Sequence, residues 1–358
     1  VLVDGNRGQI VFWPTAEQIA EAEAYEKQKA QKTAVTTVAP TPARLPNGEA
    51  VTLWANLDNP MQIPHVLAQG LNGVGLFRTE FLVLGRRAIP DEETQTQIYT
   101  DVVRALEGRR LTIRTFDLGG DKEAPTLEEC SGQNPALGVR GLRRHLQYRN
   151  AELITQLKAI MRAAHHGPVS ILLPMVTNAR DIHAFKELFE AARDALAATS
   201  HSFDAEIPLG AMIEVPSSAL NVEKIMRRVD FISIGTNDLM QYVTAADRDN
   251  TVVLGYHDLK CSGTEKLIEW IMETAGRLGR VEDVSLCGDL ASRPSGAQDL
   301  VQLGLRSLSI FPAAAPAIRR ALESQQPQTQ QPQTQKPPET QALENQQPQN
   351  QKPPETQK

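Results

Sequence analysis

Gly210-Ala211-Met212-Ile213-Glu214-Val215 and, following it, Phe231-Ile232-Ser233-Ile234-Gly235 are the stretches that decide the fold. Each is a short, nearly continuous apolar run, the pattern of a strand buried on both faces. The same kind of run stands on either side of them. Upstream lie Val51-Thr52-Leu53-Trp54-Ala55, Gly73-Val74-Gly75-Leu76-Phe77, Leu111-Thr112-Ile113-Arg114 and Ser170-Ile171-Leu172-Leu173-Pro174-Met175. Downstream lie Val284-Ser285-Leu286-Cys287 and Ser307-Leu308-Ser309-Ile310. Stretches of helical spacing intervene at 91–107, 150–165, 178–197, 263–279 and 313–323. Parallel-type strands alternating with helices over about 270 residues predict an α/β fold of the (β/α)8 TIM-barrel type. An open doubly wound sheet is the alternative. It would be expected to carry a Gly-rich dinucleotide fingerprint after its first strand, and none is present.

The barrel is expected over residues 48–323. Before it, residues 1–15 read as a β-hairpin with a Gly-containing turn, too small to be stable alone. With no Met at position 1, this hairpin is expected to be the last piece of an upstream domain. Residues 16–47 are expected to form a linker: a polar helix from Ala16 to about Lys32, rich in good helix formers, and then a Thr/Pro/Ala stretch. Residues 324–358 are nearly all Gln, Pro, Thr, Lys, Glu and Asn, and 330–341 recur at 346–357 with Thr334 replaced by Asn350. Such a tail lacks the apolar side chains that offset ordering entropy, so it is expected to be disordered.

Composition excludes several classes. The chain has 358 residues, 41% apolar and 22% charged, with 37 basic and 43 acidic side chains giving a net charge of −6. No basic footprint for nucleic acid is present, no apolar run long enough to cross a bilayer, and no signal-peptide pattern. Cys130, Cys261 and Cys287 are widely separated and odd in number, which reads as free thiols in a reducing, cytoplasmic setting.

In a TIM barrel the chemistry lies where strands end, at the C-terminal face. Arg78 closes the second strand, Arg114 lies in the third, Glu214 ends the fifth, Asn237 and Asp238 follow the sixth, and Cys287 ends the seventh. Structural ion pairs such as Arg78 with Glu80, or Arg114 with Asp117, account for single residues. The whole set at one end of the barrel instead describes an anion site beside a metal site. Guanidinium groups grip phosphate and carboxylate, and one or two carboxylates suffice for Mg2+ when a substrate brings further oxygens. A lone thiol is suited to acid, base or nucleophilic work. Its alternative is that of a small apolar filler, but Gly288 directly after Cys287 is expected to leave the sulfur room to meet a ligand.

Several motifs resemble those of the phosphoenolpyruvate (PEP)-utilising enzymes, most of all the Enzyme I branch of the bacterial sugar phosphotransferase system. They are Gly75-Leu76-Phe77-Arg78-Thr79-Glu80-Phe81, Ile113-Arg114-Thr115-Phe116-Asp117-Leu118-Gly119-Gly120-Asp121-Lys122 and Asn134-Pro135-Ala136-Leu137-Gly138-Val139-Arg140. Met212-Ile213-Glu214-Val215-Pro216, Ser233 through Tyr242, Ala246-Asp247-Arg248 and Cys287-Gly288 complete the series in order. The resemblance implies that Glu214 and Asp238 hold Mg2+, with Mn2+ as a substitute. It implies that Arg78, Arg114, Arg248 and the Asn237 amide grip PEP, with Lys122 and Arg140 as further positive groups. Cys287 would protonate the methylene carbon of enolpyruvate. The implied activity is phosphoryl transfer from PEP to a histidine of an upstream domain, releasing pyruvate. That is the first step of the sugar phosphotransferase system and leads to a histidine phosphocarrier protein. The family also implies a homodimer formed through the barrel.

No motif of a phosphoryl-accepting histidine occurs around His65, His145, His165, His166, His183, His201 or His257. Three further departures stand out. Gly255-Tyr256-His257-Asp258-Leu259-Lys260-Cys261-Ser262 replaces a Pro-containing run, Asp289 stands where Glu is usual, and Ile310-Phe311-Pro312 replaces a Ser-rich strand end. A non-catalytic PEP-sensing module and a PEP synthase or pyruvate phosphate dikinase-type barrel are the alternative functions, separable by what lies upstream.

Overall fold

The computed structural model of the chain describes residues 1–4, 9–32, 37–83, 88–119, 134–260 and 263–324. Strands β1 (Leu2–Asp4) and β2 (Gln9–Val11) pair antiparallel, Leu2 opposite Val11, so the expected hairpin forms; its turn lies outside the described residues. The expected polar helix spans Ala16–Lys32. Strand β3 (Ala43–Arg44) then lies antiparallel on β4 (Ala50–Leu57) at the entrance to the barrel.

The barrel consists of β4 followed by β5 (Gly73–Phe77), β6 (Arg110–Arg114), β7 (Val169–Leu173), β8 (Leu209–Ile213), β9 (Phe231–Gly235), β10 (Val284–Cys287) and β11 (Ser307–Ile310). Neighbours pair in parallel, and β11 pairs back onto β4 with Ser309 opposite Trp54, which closes the ring. The fold class read from the sequence is therefore the one observed. Closure leaves no exposed sheet edge within the ring.

Alternation along each strand separates two environments. Leu53, Ala55, Leu111, Ile113, Ile171, Leu173, Ile232, Ile234 and Leu308 share one apolar layer with helix residues such as Val102, Leu157, Ile225 and Ile318. Their neighbours in sequence face the barrel axis. Leu76, Leu172, Met212 and Cys287 form a separate small apolar cluster there. The same alternation sends Arg114 and Ser233 inward and, just past the end of β8, Glu214.

Helices form where the sequence signals them. Glu92–Ala105 starts at Asp91, whose carboxylate accepts the Thr94 N–H at 2.9 Å. Ala179–Ala197 begins with a reciprocal cap: Asn178 Oδ1 accepts from Arg180 N at 2.8 Å and Asp181 Oδ2 accepts from Asn178 N at 3.1 Å. Asn150–Ala164 and Thr264–Arg277 also agree with the helical stretches. The short helices Pro216–Leu220, Thr236–Thr244 and Pro294–Gln302 follow strand ends without a periodic signal long enough to read. The Gln/Pro-rich tail from residue 325 onward lies outside the described residues.

His145, in the helix Gly141–Tyr148, ties this region to the barrel. It is fully buried, with Nε2 3.2 Å from the Phe116 carbonyl oxygen and Nδ1 3.5 Å from that of Arg149. Burial, and then the charge of Arg144, push its pKa from 6.5 down to about 4. The folded state thus keeps the ring neutral at a pH where the unfolded chain protonates it. Its contribution is complete above about pH 6.5 and is lost as the pH falls toward about 4, to the extent of roughly 2–3 kcal/mol. Urea unfolding at pH 7.5 and pH 5 is expected to show this loss, and His145→Gln, which does not titrate, is expected to flatten it. An unchanged pH slope in the variant would contradict the assignment.

Candidate functional site

The C-terminal ends of the strands surround a cavity of about 720 Å3. Its walls include Arg78, Glu80, Arg114, Asp117, Glu214, Asn237, Asp238, Arg248 and Cys287. Of the residues singled out from the sequence, seven therefore converge on one mouth: Arg78, Arg114, Glu214, Asn237, Asp238, Arg248 and Cys287. Arg140 does not line it, and Lys122 lies outside the described residues.

Three arginines hold the walls in different ways. Arg78, just past β5, reaches Asp58 beyond β4, with Nη1 3.0 Å from Oδ1. It is about a third exposed and can swing toward a ligand. Arg114 at the end of β6 is nearly inaccessible. Its Nη2 donates to Glu80 Oε1 at 2.9 Å and its Nη1 lies 3.4 Å from Asp117 Oδ2. Glu80 Oε1 also accepts the Asp117 N–H at 2.9 Å, which fixes the strand-end turn. Burial alone would weaken the Arg114 charge, but Glu80, Asp117, Glu214 and Asp238 more than offset it and raise its pKa. Its Nε is buried with no hydrogen-bond partner, while the residue as a whole borders the cavity.

Arg140 stands behind this wall as a bridge. Its Nη2 lies 2.8 Å from Asp117 Oδ2, and its Nη1 lies 2.8 Å from Asp238 Oδ1 and 3.1 Å from the Tyr242 hydroxyl. Arg248 Nη1 takes the other oxygen of Asp238 at 3.1 Å. Two cations thus orient one carboxylate that faces the cavity.

Glu214 follows β8. Its Oε1 accepts the Met175 N–H at 2.6 Å. Met175 holds a left-handed φ of 54°, an uncommon conformation for a non-glycine residue that aims this N–H at the carboxylate. Burial, then the charges of Asp238 and Asp117, push the Glu214 pKa up to about 7. Among the described residues no group of three or more His, Cys, Asp or Glu side chains is arranged to hold a metal by itself. The Glu214 and Asp238 pair nevertheless fits a hard divalent cation. Both are oxygen donors at the cavity wall, their mutual repulsion is what a dication relieves, and Mg2+ needs few protein ligands when a substrate supplies others.

Cys287 ends β10. It is buried against Leu76, Leu172 and Met212 and borders the cavity. Burial raises its pKa, partly opposed by the nearby Ser233 hydroxyl, so the thiol keeps its proton at neutral pH. Gly288 borders the cavity beside Cys287 and also meets a local packing constraint. At φ 126°, a Cβ there would sit 2.1 Å from Thr236 Oγ1 and 3.0 Å from Asn237 Oδ1. The missing side chain makes room for the start of the helix Thr236–Thr244. That helix end is tied back where Asn237 Oδ1 accepts the Asp289 N–H at 3.1 Å.

Sequence reading missed Asp58, His257 and Arg293 at the mouth. Asp58 was within reach of the rule used for the others, since it directly follows a strand. His257 and Arg293 carry no such signal, because each comes from a loop or short turn whose path only the folded chain shows.

Comparison with known proteins adds a consistent result. The family described as PEP-utilising enzyme, PEP-binding domain, matches residues 32–327. The chain is 37% identical to a multiphosphoryl transfer protein of Xanthomonas campestris over 90% of its own length and 38% of that protein's. It is 36% identical to a phosphoenolpyruvate-protein phosphotransferase of Streptococcus equinus over 87% of this chain and 54% of the relative. It is 40% identical to one of Borreliella burgdorferi over 78% and 49%. The chain thus spans about half the length, or less, of these relatives.

Proposed function

Because the chain belongs to the PEP-utilising enzymes through their PEP-binding domain, we propose that it binds PEP with Mg2+ and supports phosphoryl transfer to a histidine of an upstream domain, releasing pyruvate. The observation that carries this reading is the convergence of Arg78, Arg114 and Arg248 with Glu214 and Asp238 on one cavity. Such a mouth offers cations to a phosphate and a carboxylate, and two carboxylates to the metal between them.

The residues divide the work. Arg78, Arg114, Arg248 and the Asn237 amide bind and orient the substrate oxygens, since phosphoryl transfer depends chiefly on positioning and charge stabilisation. Glu214 and Asp238 hold Mg2+, or Mn2+ in its place, which when bound neutralises charge on the phosphoryl oxygens. Transfer breaks the bond between phosphorus and the enol oxygen, and the enolate of pyruvate remains. Cys287 then gives its thiol proton to the methylene carbon, and the sulfur keeps the electron pair. A thiol whose pKa is raised by burial suits this acid role. Arg140 acts from behind by orienting Asp238, and Lys122, outside the described residues, is a further positive group in the same reading.

The names of the relatives favour a phosphotransferase. In that setting the hairpin of residues 1–15 belongs to an upstream histidine-bearing domain, residues 16–47 link it to the barrel, and the phosphoryl group passes on to a histidine phosphocarrier. Association of two copies through the barrel belongs to the same reading. Among the described residues no helix is long and apolar enough to cross a membrane; a cytoplasmic setting belongs to the same proposal.

Calorimetric titration with PEP tests the metal requirement. Binding is expected with Mg2+ or Mn2+ and is expected to fall by at least about tenfold in EDTA. Undiminished binding in EDTA would remove Glu214 and Asp238 from a metal role.

A further inference from the structure

His257 stands in the run Gly255-Tyr256-His257-Asp258, one of the stretches that depart from the family's motifs. It nevertheless borders the cavity. Its Nε2 lies 2.9 Å from the carbonyl oxygen of Ala246. A carbonyl cannot donate, so Nε2 carries the proton and the ring donates. Ala246 begins the Ala246-Asp247-Arg248 loop, two residues before the guanidinium that reaches Asp238.

That loop leaves the helix Thr236–Thr244 by an awkward route. Ala245 caps the helix in a left-handed conformation with φ 54°, which a residue with a Cβ adopts reluctantly. The loop is then held from within the segment where Arg248 N–H donates to Gln241 Oε1 at 2.9 Å. It also holds itself where Asp249 N–H donates to Asp247 Oδ1 at 2.9 Å. His257 adds a tie from the far side of the following turn, Leu254–Tyr256. It fixes the loop at the strained end, where the path toward Arg248 is set.

We propose that His257 is a positioning residue for Arg248: by holding the Ala246 carbonyl it aims the Arg248 guanidinium into the mouth. This rests on the PEP-binding reading above for its functional consequence, but the contact itself does not depend on PEP. With Nε2 committed to the Ala246 carbonyl, the effect of the ring passes through Arg248.

Hydrogen–deuterium exchange on the ligand-free chain and 31P NMR titration with Mg2+-PEP, carried to millimolar PEP, test this together. His257→Ala is expected to speed amide exchange in the peptide covering residues 245–249 several-fold and to weaken PEP binding about fivefold, the scale of one lost hydrogen bond. His257→Gln, whose side-chain amide can donate to the same carbonyl, is expected to recover most of both losses. In an Arg248→Ala background His257→Ala is expected to add little to the binding loss, because the group it aims is gone. Unchanged exchange in His257→Ala overturns the proposal, whether or not PEP binds. An equal binding loss with and without Arg248 also overturns it and makes His257 an independent ligand contact. Failure of the unaltered chain to bind PEP would count against the reading of the mouth, and the exchange measurement would still decide the role of His257.

Discussion

Arg114→Ala is expected to weaken Mg2+-PEP binding by about 2–4 kcal/mol, the cost of leaving a buried anion without its charged donor. It is also expected to weaken binding more than Arg140→Ala does. Both arginines are buried among carboxylates, but only Arg114 borders the cavity. The barrel strand fixes its position before the ligand arrives, so little ordering remains to be done on binding. Arg140 instead spans Asp117 and Asp238, both nearly inaccessible. Its removal strands buried charge and is expected to cost stability, about 3–5 kcal/mol, before it costs affinity. Arg248 keeps Asp238 paired in that variant. Calorimetry alongside urea unfolding separates the two effects. Equal, small affinity losses for both variants would contradict the placement of Arg114 at the anion.

Cys287→Ala is expected to leave PEP binding nearly intact and to slow pyruvate formation by about two to four orders of magnitude, the range of general acid catalysis. The sulfur lies at the end of β10, at the wall of the same cavity as the arginines, in a pocket lined by Leu76, Leu172 and Met212. Alanine fills most of that volume, so the fold should survive. Cys130 and Cys261 lie outside the described residues and away from any family motif, and serine at either position is expected to be silent. The assay uses a protein carrying the histidine domain in cis, with carrier phosphorylation and pyruvate release followed separately. A wild-type rate of pyruvate release from Cys287→Ala would reduce the thiol to a packing residue.

The barrel was legible because a parallel strand buried on both faces must be a compact apolar run, and each of these runs ends at a turn or a polar residue. The site was legible for a related reason. A structural ion pair can account for any one charge such as Arg114 at the end of an apolar strand, but the fold places all such ends on one face, and the whole set there describes a site. What the sequence hid were contacts that depend on the path of loops. Nothing near Arg140 signals that it bridges Asp117 and Asp238, which lie 23 and 98 positions away. The Arg78–Asp58 pair and the His257–Ala246 contact are hidden in the same way. Gly288 carries a constraint of the same hidden kind: its lack of a side chain serves the packing of Thr236 and Asn237, a neighbour relation between β9 and β10 that no linear reading contains. Helices as short as Pro216–Leu220 escaped because five residues span little more than one turn, too few for the helical period to repeat.

The most direct test of Mg2+-PEP binding at this mouth is anomalous diffraction from crystals of the chain grown with Mn2+ and PEP. The manganese peak is expected in contact with the carboxylates of Glu214 and Asp238. The PEP phosphate and carboxylate are expected within hydrogen-bond reach of Arg78, Arg114 and Arg248, with the methylene carbon toward Cys287. Manganese and PEP bound elsewhere, with the mouth occupied by water alone, would contradict it.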